Sequence, residues 1–176
     1  MRTKIVGTFL FVISIFMLVA QQTDTEFQNA AGNNPSWMLN PSVKGPDGKA
    51  AGNFRIEKDE NGKNILIFSV PERFQAALAS RILEPATAGQ TFCAEALVSG
   101  QGRFLISFYT YTDQKKYLTT AKTEYIRLGT EPEKKKFKIP VINWKNGKTA
   151  FIRVMIMLAP DTELKLSGLK ISLTQE

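Results

Sequence analysis

Between Thr91 and Thr112 the chain reads TFCAEALVSGQGRFLISFYTYT, and its side chains change character at every step. Phe92, Ala94, Ala96 and Val98 alternate with Thr91, Cys93, Glu95 and Leu97, and beyond two glycines Phe104, Ile106 and Phe108 alternate with Arg103, Leu105, Ser107 and Tyr109. A period of two belongs to strands, because successive side chains point to opposite faces of the pleat. The stretch predicts two antiparallel strands joined as a hairpin at Ser99-Gly100-Gln101-Gly102, at the centre of the fold. One face of that hairpin is apolar, and the other carries Glu95, Arg103, Ser107, Tyr109 and Tyr111.

Turn chemistry cuts the remaining chain into further short strands. A short first strand is expected near Trp37 and Met38, before the Gly- and Pro-rich loop that Asn40-Pro41 opens. Phe54 and Ile56 alternate with polar neighbours up to Asp59-Glu60-Asn61-Gly62, a hairpin turn with glycine where positive φ is needed. The returning segment 65–70, ILIFSV, is apolar on both faces and predicts a central strand. Segment 71–83, PERFQAALASRIL, fits two templates: Phe74, Leu78 and Ile82 recur at helical spacing behind Pro71, while Ala76, Leu78, Ser80 and Ile82 fit a strand. Residues 117–128 predict one or two irregular strands and 129–135 a charged loop. Phe137, Ile139 and Val141 alternate with lysines, Asn146-Gly147 turns the chain, and AFIRVMIML at 150–158 predicts a second central strand. In the last strand the apolar parity changes at Ser167-Gly168, the mark of a β-bulge. About nine or ten short strands at such spacing predict an all-β fold, a two-sheet antiparallel β-sandwich of jelly-roll type.

The N-terminus has a different character. Arg2 and Lys4 precede an uncharged apolar run from Ile5 to Val19, and Ala20 leads into the polar QQTDTE. This predicts a signal peptide helix over 1–20, cleaved before Gln21, since the run is shorter than the roughly 20 residues of a spanning helix. An uncleaved anchor is the alternative. The expected organisation is therefore a signal peptide at 1–20, a flexible lead-in at 21–33 and one domain at 34–176, secreted or held in the periplasm or cell envelope. The single cysteine, Cys93, excludes an internal disulfide and is expected to be a buried thiol.

Composition excludes several function classes. The chain contains no histidine, which removes the usual triads, the usual zinc sites and the commonest general base. Opposed carboxylates for glycoside hydrolysis are not evident, since Asp59, Glu60, Glu131 and Glu133 fall in turns or charged loops. A net charge of +7 is spread over scattered lysines, and the dense run from Glu131 to Lys138 mixes both signs, so no nucleic-acid signature emerges. The expected protein is not an enzyme.

The order of segments resembles the jelly-roll carbohydrate-binding modules of the cellulose- and xylan-binding kind, within the galactose-binding-like superfamily. The resemblance covers most of residues 34–174. It rests on Asn34 to Trp37, on Pro85-Ala86-Thr87-Ala88-Gly89-Gln90-Thr91-Phe92, on Glu133 to Phe137 and on Leu164 to Leu173. It implies a strand rather than a helix at 74–83. Ser167-Gly168 stands where these modules often carry an Asp pair that helps hold calcium, so a structural calcium lacks its usual ligands here and no metal or other cofactor is expected. Lys134 to Lys136 replace a tryptophan often found beside the Glu-x-Lys motif.

The resemblance implies a non-catalytic module that binds polysaccharide or oligosaccharide. Such binding needs aromatic surface for the apolar faces of pyranose rings and fixed polar groups for their hydroxyls. Glu95, Arg103, Tyr109, Tyr111 and Arg153 are the candidate ligand-binding residues, with Glu95 and Arg153 expected to meet across one sheet face. One alternative is an ordinary solvated face with a Glu95–Arg153 cross-strand pair; another is a structural or protein-interaction domain of the envelope that keeps the jelly roll and binds a protein partner. An exposed apolar patch around Phe151, Met155 and Met157 would favour that reading. Trp37 is expected in the core and Trp144 at the surface.

Overall fold

Alternating apolar residues become strands throughout the chain. The structure is a computed structural model that describes residues 22–29, 35–145 and 147–175. The signal peptide expected at 1–20 lies outside these residues, as does Asn146 of the expected Asn-Gly turn. The strands are β1 (Trp37–Leu39), β2 (Asn53–Lys58), β3 (Asn64–Val70), β4 (Ala76–Ser80), β5 (Glu84–Pro85) and β6 (Gln90–Gln101) in the first half. β7 (Arg103–Tyr111), β8 (Tyr117–Ala121), β9 (Ile126–Arg127), β10 (Glu133–Pro140), β11 (Phe151–Leu158) and β12 (Thr162–Gln175) complete them. No helix occurs among the described residues. The ambiguous segment 71–83 forms strand β4, buried along its whole length.

Two antiparallel sheets result. One has five strands in the order β10-β6-β12-β3-β2, and the other has seven, in the order β1-β4-β11-β7-β8 with β5 on β11 and β9 on β7. The expected hairpin between β2 and β3, the central positions of β3 and β11, and the bulge in β12 between Ser167 and Lys170 are all present. Phe92, Ala94, Ala96 and Val98 of β6 and Leu164, Leu166 and Leu169 of β12 face Phe104, Ile106 and Phe108 of β7 and Ile152, Val154 and Ile156 of β11 across one core. Phe92 meets Phe108 at 5.1 Å between ring centroids, and Phe104 meets Phe137 edge-on at 5.6 Å, so aromatic rings from both sheets interlock.

The central hairpin is corrected. β6 pairs with β10 and β12, and β7 pairs with β11 and β8, so the strands joined at Gly100-Gln101-Gly102 lie in different sheets. Gly100 makes the crossing geometrically accessible. Its φ is +133°, and a Cβ there would lie 2.0 Å from the backbone oxygen of Glu163 at the start of β12. The apolar faces of β6 and β7 therefore face each other across the core instead of lying side by side.

Three further expectations change. The lead-in is docked over its described part, because Phe27 is buried against Trp37 with centroids 5.7 Å apart. Trp37 Nε1 also donates to the Asp24 carbonyl at 2.8 Å, fastening the segment to the sandwich. Trp37 is buried and Trp144 exposed, as expected. Cys93 is only half-buried, since it lies on the outer side of β6. The patch around Phe151, Met155 and Met157 is not an exposed surface: Met155, in register between Ala79 and Ser107, is fully buried, and its two neighbours are half-buried.

Candidate functional site

The outer face of the seven-stranded sheet gathers most of the predicted polar residues. Arg153 of β11 is in register with Tyr109 of β7, which is in register with Thr120 of β8. In the adjoining row Phe151 faces Tyr111, and Tyr111 faces Tyr117. Cross-strand partners stand close enough to touch, so these two rows make a continuous surface.

Three tyrosines form its aromatic part. The Tyr117 ring lies 5.4 Å from that of Tyr109 and 6.1 Å from that of Tyr111, at 88° and 74°, the edge-to-face arrangement that ring quadrupoles favour. Arg153 Cζ stands 5.5 Å from the Tyr111 centroid, within cation–π reach. Tyr117 is 56% exposed and presents a free ring face, and its hydroxyl lies 3.0 Å from Thr120 Oγ1.

The loop after β1 supplies a wall. Asn40 is buried, its backbone N–H donates to the Ala77 carbonyl at 2.7 Å, and its side-chain oxygen accepts from Ser42 N at 3.0 Å. Its amide nitrogen donates to the Tyr109 hydroxyl, which ties the wall to the sheet. Between this wall and Tyr117 lies a cleft of about 460 Å³, with Ala79 and Met38 on one flank and Arg153 within it.

Burial raises the pKa of Tyr109, and the Asn40 hydrogen bond opposes that rise. Burial likewise raises that of Tyr111, opposed by the charge of Arg153. Both phenols therefore stay protonated through the neutral range, able to donate and to accept. Among the described residues, Arg153 is the only charged one lining the cleft. Its Nε is sealed from solvent without a hydrogen-bond partner, and it forms no ion pair among the described residues.

Of the predicted residues, Tyr109, Tyr111 and Arg153 converge here. Arg103 lies on the same face but at the opposite end of β7, in register with Arg127 and beside Tyr125. Glu95 lies on the other sheet, where its carboxylate meets Lys134 Nζ at 2.6 Å and Lys136 Nζ at 3.4 Å. The expected Glu95–Arg153 pair is therefore eliminated, because β6 and β11 belong to opposite sheets. The Lys134 hydrogen bond, opposed by partial burial, holds the Glu95 carboxyl below its usual range.

Asn40, Tyr117 and Thr120 escaped sequence reasoning. Tyr117 and Thr120 have opposite strand parity, and only the irregular register between β7 and β8 at Thr110 and Tyr111 brings both to one face. Among the described residues no three His, Cys, Asp or Glu side chains gather to hold a metal ion.

No protein-family model and no curated protein matches the sequence. Solved structures do match in shape. The CBM22-1 xylan-binding domain of Paenibacillus barcinonensis Xyn10C is 9% identical with a TM-score of 0.51, over 83% of this chain and 90% of that domain. This chain has the jelly-roll fold of the carbohydrate-binding modules. A cyclase from Fischerella sp. TAU is similar in shape to this chain at 6% identity and a TM-score of 0.58, over 86% of this chain and 94% of that one. The enzymatically active domain of bacteriophage CBA120 tailspike protein 4 aligns with 86% of this chain at 13% identity and a TM-score of 0.61, and this chain spans 20% of that one.

Proposed function

We propose that this chain is an exported, non-catalytic glycan-binding module whose ligand lies in the cleft over Arg153, between Asn40 and Tyr117. The observation that carries the proposal is the convergence, on one outer sheet face, of three tyrosine rings with amide, hydroxyl and guanidinium donors in a cleft of about 460 Å³. A pyranose offers an apolar face to stack on an aromatic ring and hydroxyls around its edge. Each hydroxyl removed from water without a partner costs about 1–3 kcal/mol, so a site with both kinds of surface suits sugar. The xylan-binding domain that shares the fold supports the reading, although fold alone does not determine function, as the cyclase illustrates.

The cleft's composition supports binding without catalysis. The described residues lining it include no aspartate, glutamate or cysteine, and hydrolysis of a glycosidic bond ordinarily needs two carboxylates. Export rests on the apolar run at 5–19. N-terminal sequencing of the exported protein should begin near Gln21, and an intact Met1 in a membrane fraction would refute that part.

The direct test is a glycan array followed by calorimetry on the oligosaccharides retained. Tyr117→Ala should weaken binding about two- to tenfold while leaving the melting temperature nearly unchanged, because the ring is largely exposed and an aromatic stacking contact contributes about 0.5–1.5 kcal/mol. Retention of no polysaccharide or oligosaccharide by the folded protein would rule the function out.

A further inference from the structure

We infer that the cleft selects an acidic sugar unit, with the carboxylate of a uronic acid pairing with Arg153. This rests on the glycan-binding reading above and assigns a ligand class to the same site. Arg153 is the one charge among the described residues that line the cleft, and its polar neighbours among them are neutral. No carboxylate approaches it within ion-pair distance among the described residues, and its Nε is sealed from water without a hydrogen bond. The Tyr111 ring 5.5 Å away offers only the weak compensation of a cation–π contact.

Sealing part of a guanidinium from water without a counter-charge is costly. Elsewhere the chain avoids that cost: Glu95, also half-buried on an outer sheet face, is met by two lysines. At Arg153 the missing partner is an anion, and the open cleft is the route by which one can arrive. A guanidinium presents a planar fork of donors that matches a carboxylate in a bidentate pair. Asn40, Tyr109, Tyr111, Tyr117 and Thr120 surround that position with hydroxyl and amide groups suited to a sugar's other substituents. A neutral sugar would occupy the same cleft and leave the guanidinium without a counter-charge.

The experiment is calorimetry of the purified exported protein with oligogalacturonate and glucuronic-acid-substituted xylo-oligosaccharide, each beside its uncharged methyl ester, with dextran sulfate as a sulfate-bearing control. In about 0.15 M salt at least one acid should bind about tenfold or more tighter than its ester. The preference should vanish in Arg153→Gln and shrink in Arg153→Lys, which keeps the charge and loses the fork, with thermal unfolding of each variant confirming a folded protein. Equal binding of acid and ester would overturn the inference while leaving the glycan-binding reading intact. Binding of no oligosaccharide in either form would remove both. An acid preference that survives Arg153→Gln, or dextran sulfate bound as tightly as the carboxylates and equally by that variant, would show that general basicity attracts the anion and would overturn the role of Arg153.

Discussion

At Tyr109 a half-buried phenol both caps the wall of the cleft and contributes to its floor. Burial lifts its pKa above the ordinary 10.0, against the hydrogen bond from Asn40, while Tyr117 and Tyr111 add to the rise and Arg153 opposes it. Tyr111 is shifted in the same direction by burial. The unfolded chain therefore releases these protons first as pH climbs. Stability from the neutral phenols is complete below about pH 10 and is lost as pH rises through the folded values. Melting temperatures recorded between about pH 9 and 11 should fall less steeply in Tyr109→Phe than in the wild type. At neutral pH the same substitution strips the buried Asn40 amide of its acceptor, with an expected loss of about 1–3 kcal/mol in urea unfolding.

Two elements decide how the site is assembled, and each makes a prediction. The crossing from β6 to β7 passes so close to β12 that Gly100 has no room for a side chain, since the obstructing atom is backbone. Gly100→Ala should cost more than about 3 kcal/mol. Gly62→Ala, at φ +76° in an open hairpin turn with no atom within 4 Å of the added Cβ, should cost only about 1–2 kcal/mol. Urea midpoints at unchanged m-value would show that order, and equal losses would contradict it. The docked segment 22–29 is the second element. Phe27 is buried against Trp37, so Phe27→Ala should destabilise by about 3–5 kcal/mol, whereas a mobile lead-in would tolerate it.

For the whole molecule, the consequence of two sheets is two outer faces that do not touch. The face of the seven-stranded sheet holds the cleft. The opposite face carries Lys134, Lys136 and Lys138 of β10, all exposed, with Glu95 in register between Lys136 and Lys170. Lysines two apart in the dense run from Glu131 to Lys138 thus line up on one surface, where Lys170 of β12 joins them in register. Because the two faces are separated by the core, Glu95→Gln should leave oligosaccharide affinity within about twofold of wild type, in contrast to Arg153→Gln. Its effect belongs to acid stability. The folded Glu95 pKa is held below the unfolded value of about 4.5 by Lys134 and Lys136, so its contribution is present above that value and is lost as pH falls through the folded one. The decline in melting temperature below about pH 5 should be shallower in the variant.

Most strands, the all-β class and the inward residues were legible in the sequence, because side-chain direction alternates by local geometry, whereas 76–80 fitted helix and strand alike and 133–135, expected in a loop, begin β10. The same parity correctly assigned Tyr109, Tyr111 and Arg153 to an outer face. Sheet membership was not legible: a turn that keeps two strands paired and one that sends the second across the core use the same glycines and the same alternation. Steric contact between Gly100 and Glu163, 63 positions further along the chain, is visible only after folding. The bulge that brings Tyr117 beside Tyr111, and the loop that places Asn40 over Tyr109, are likewise long-range pairings. Local periodicity therefore determined which side of each strand is wet, and packing between distant segments determined which wet residues share a site.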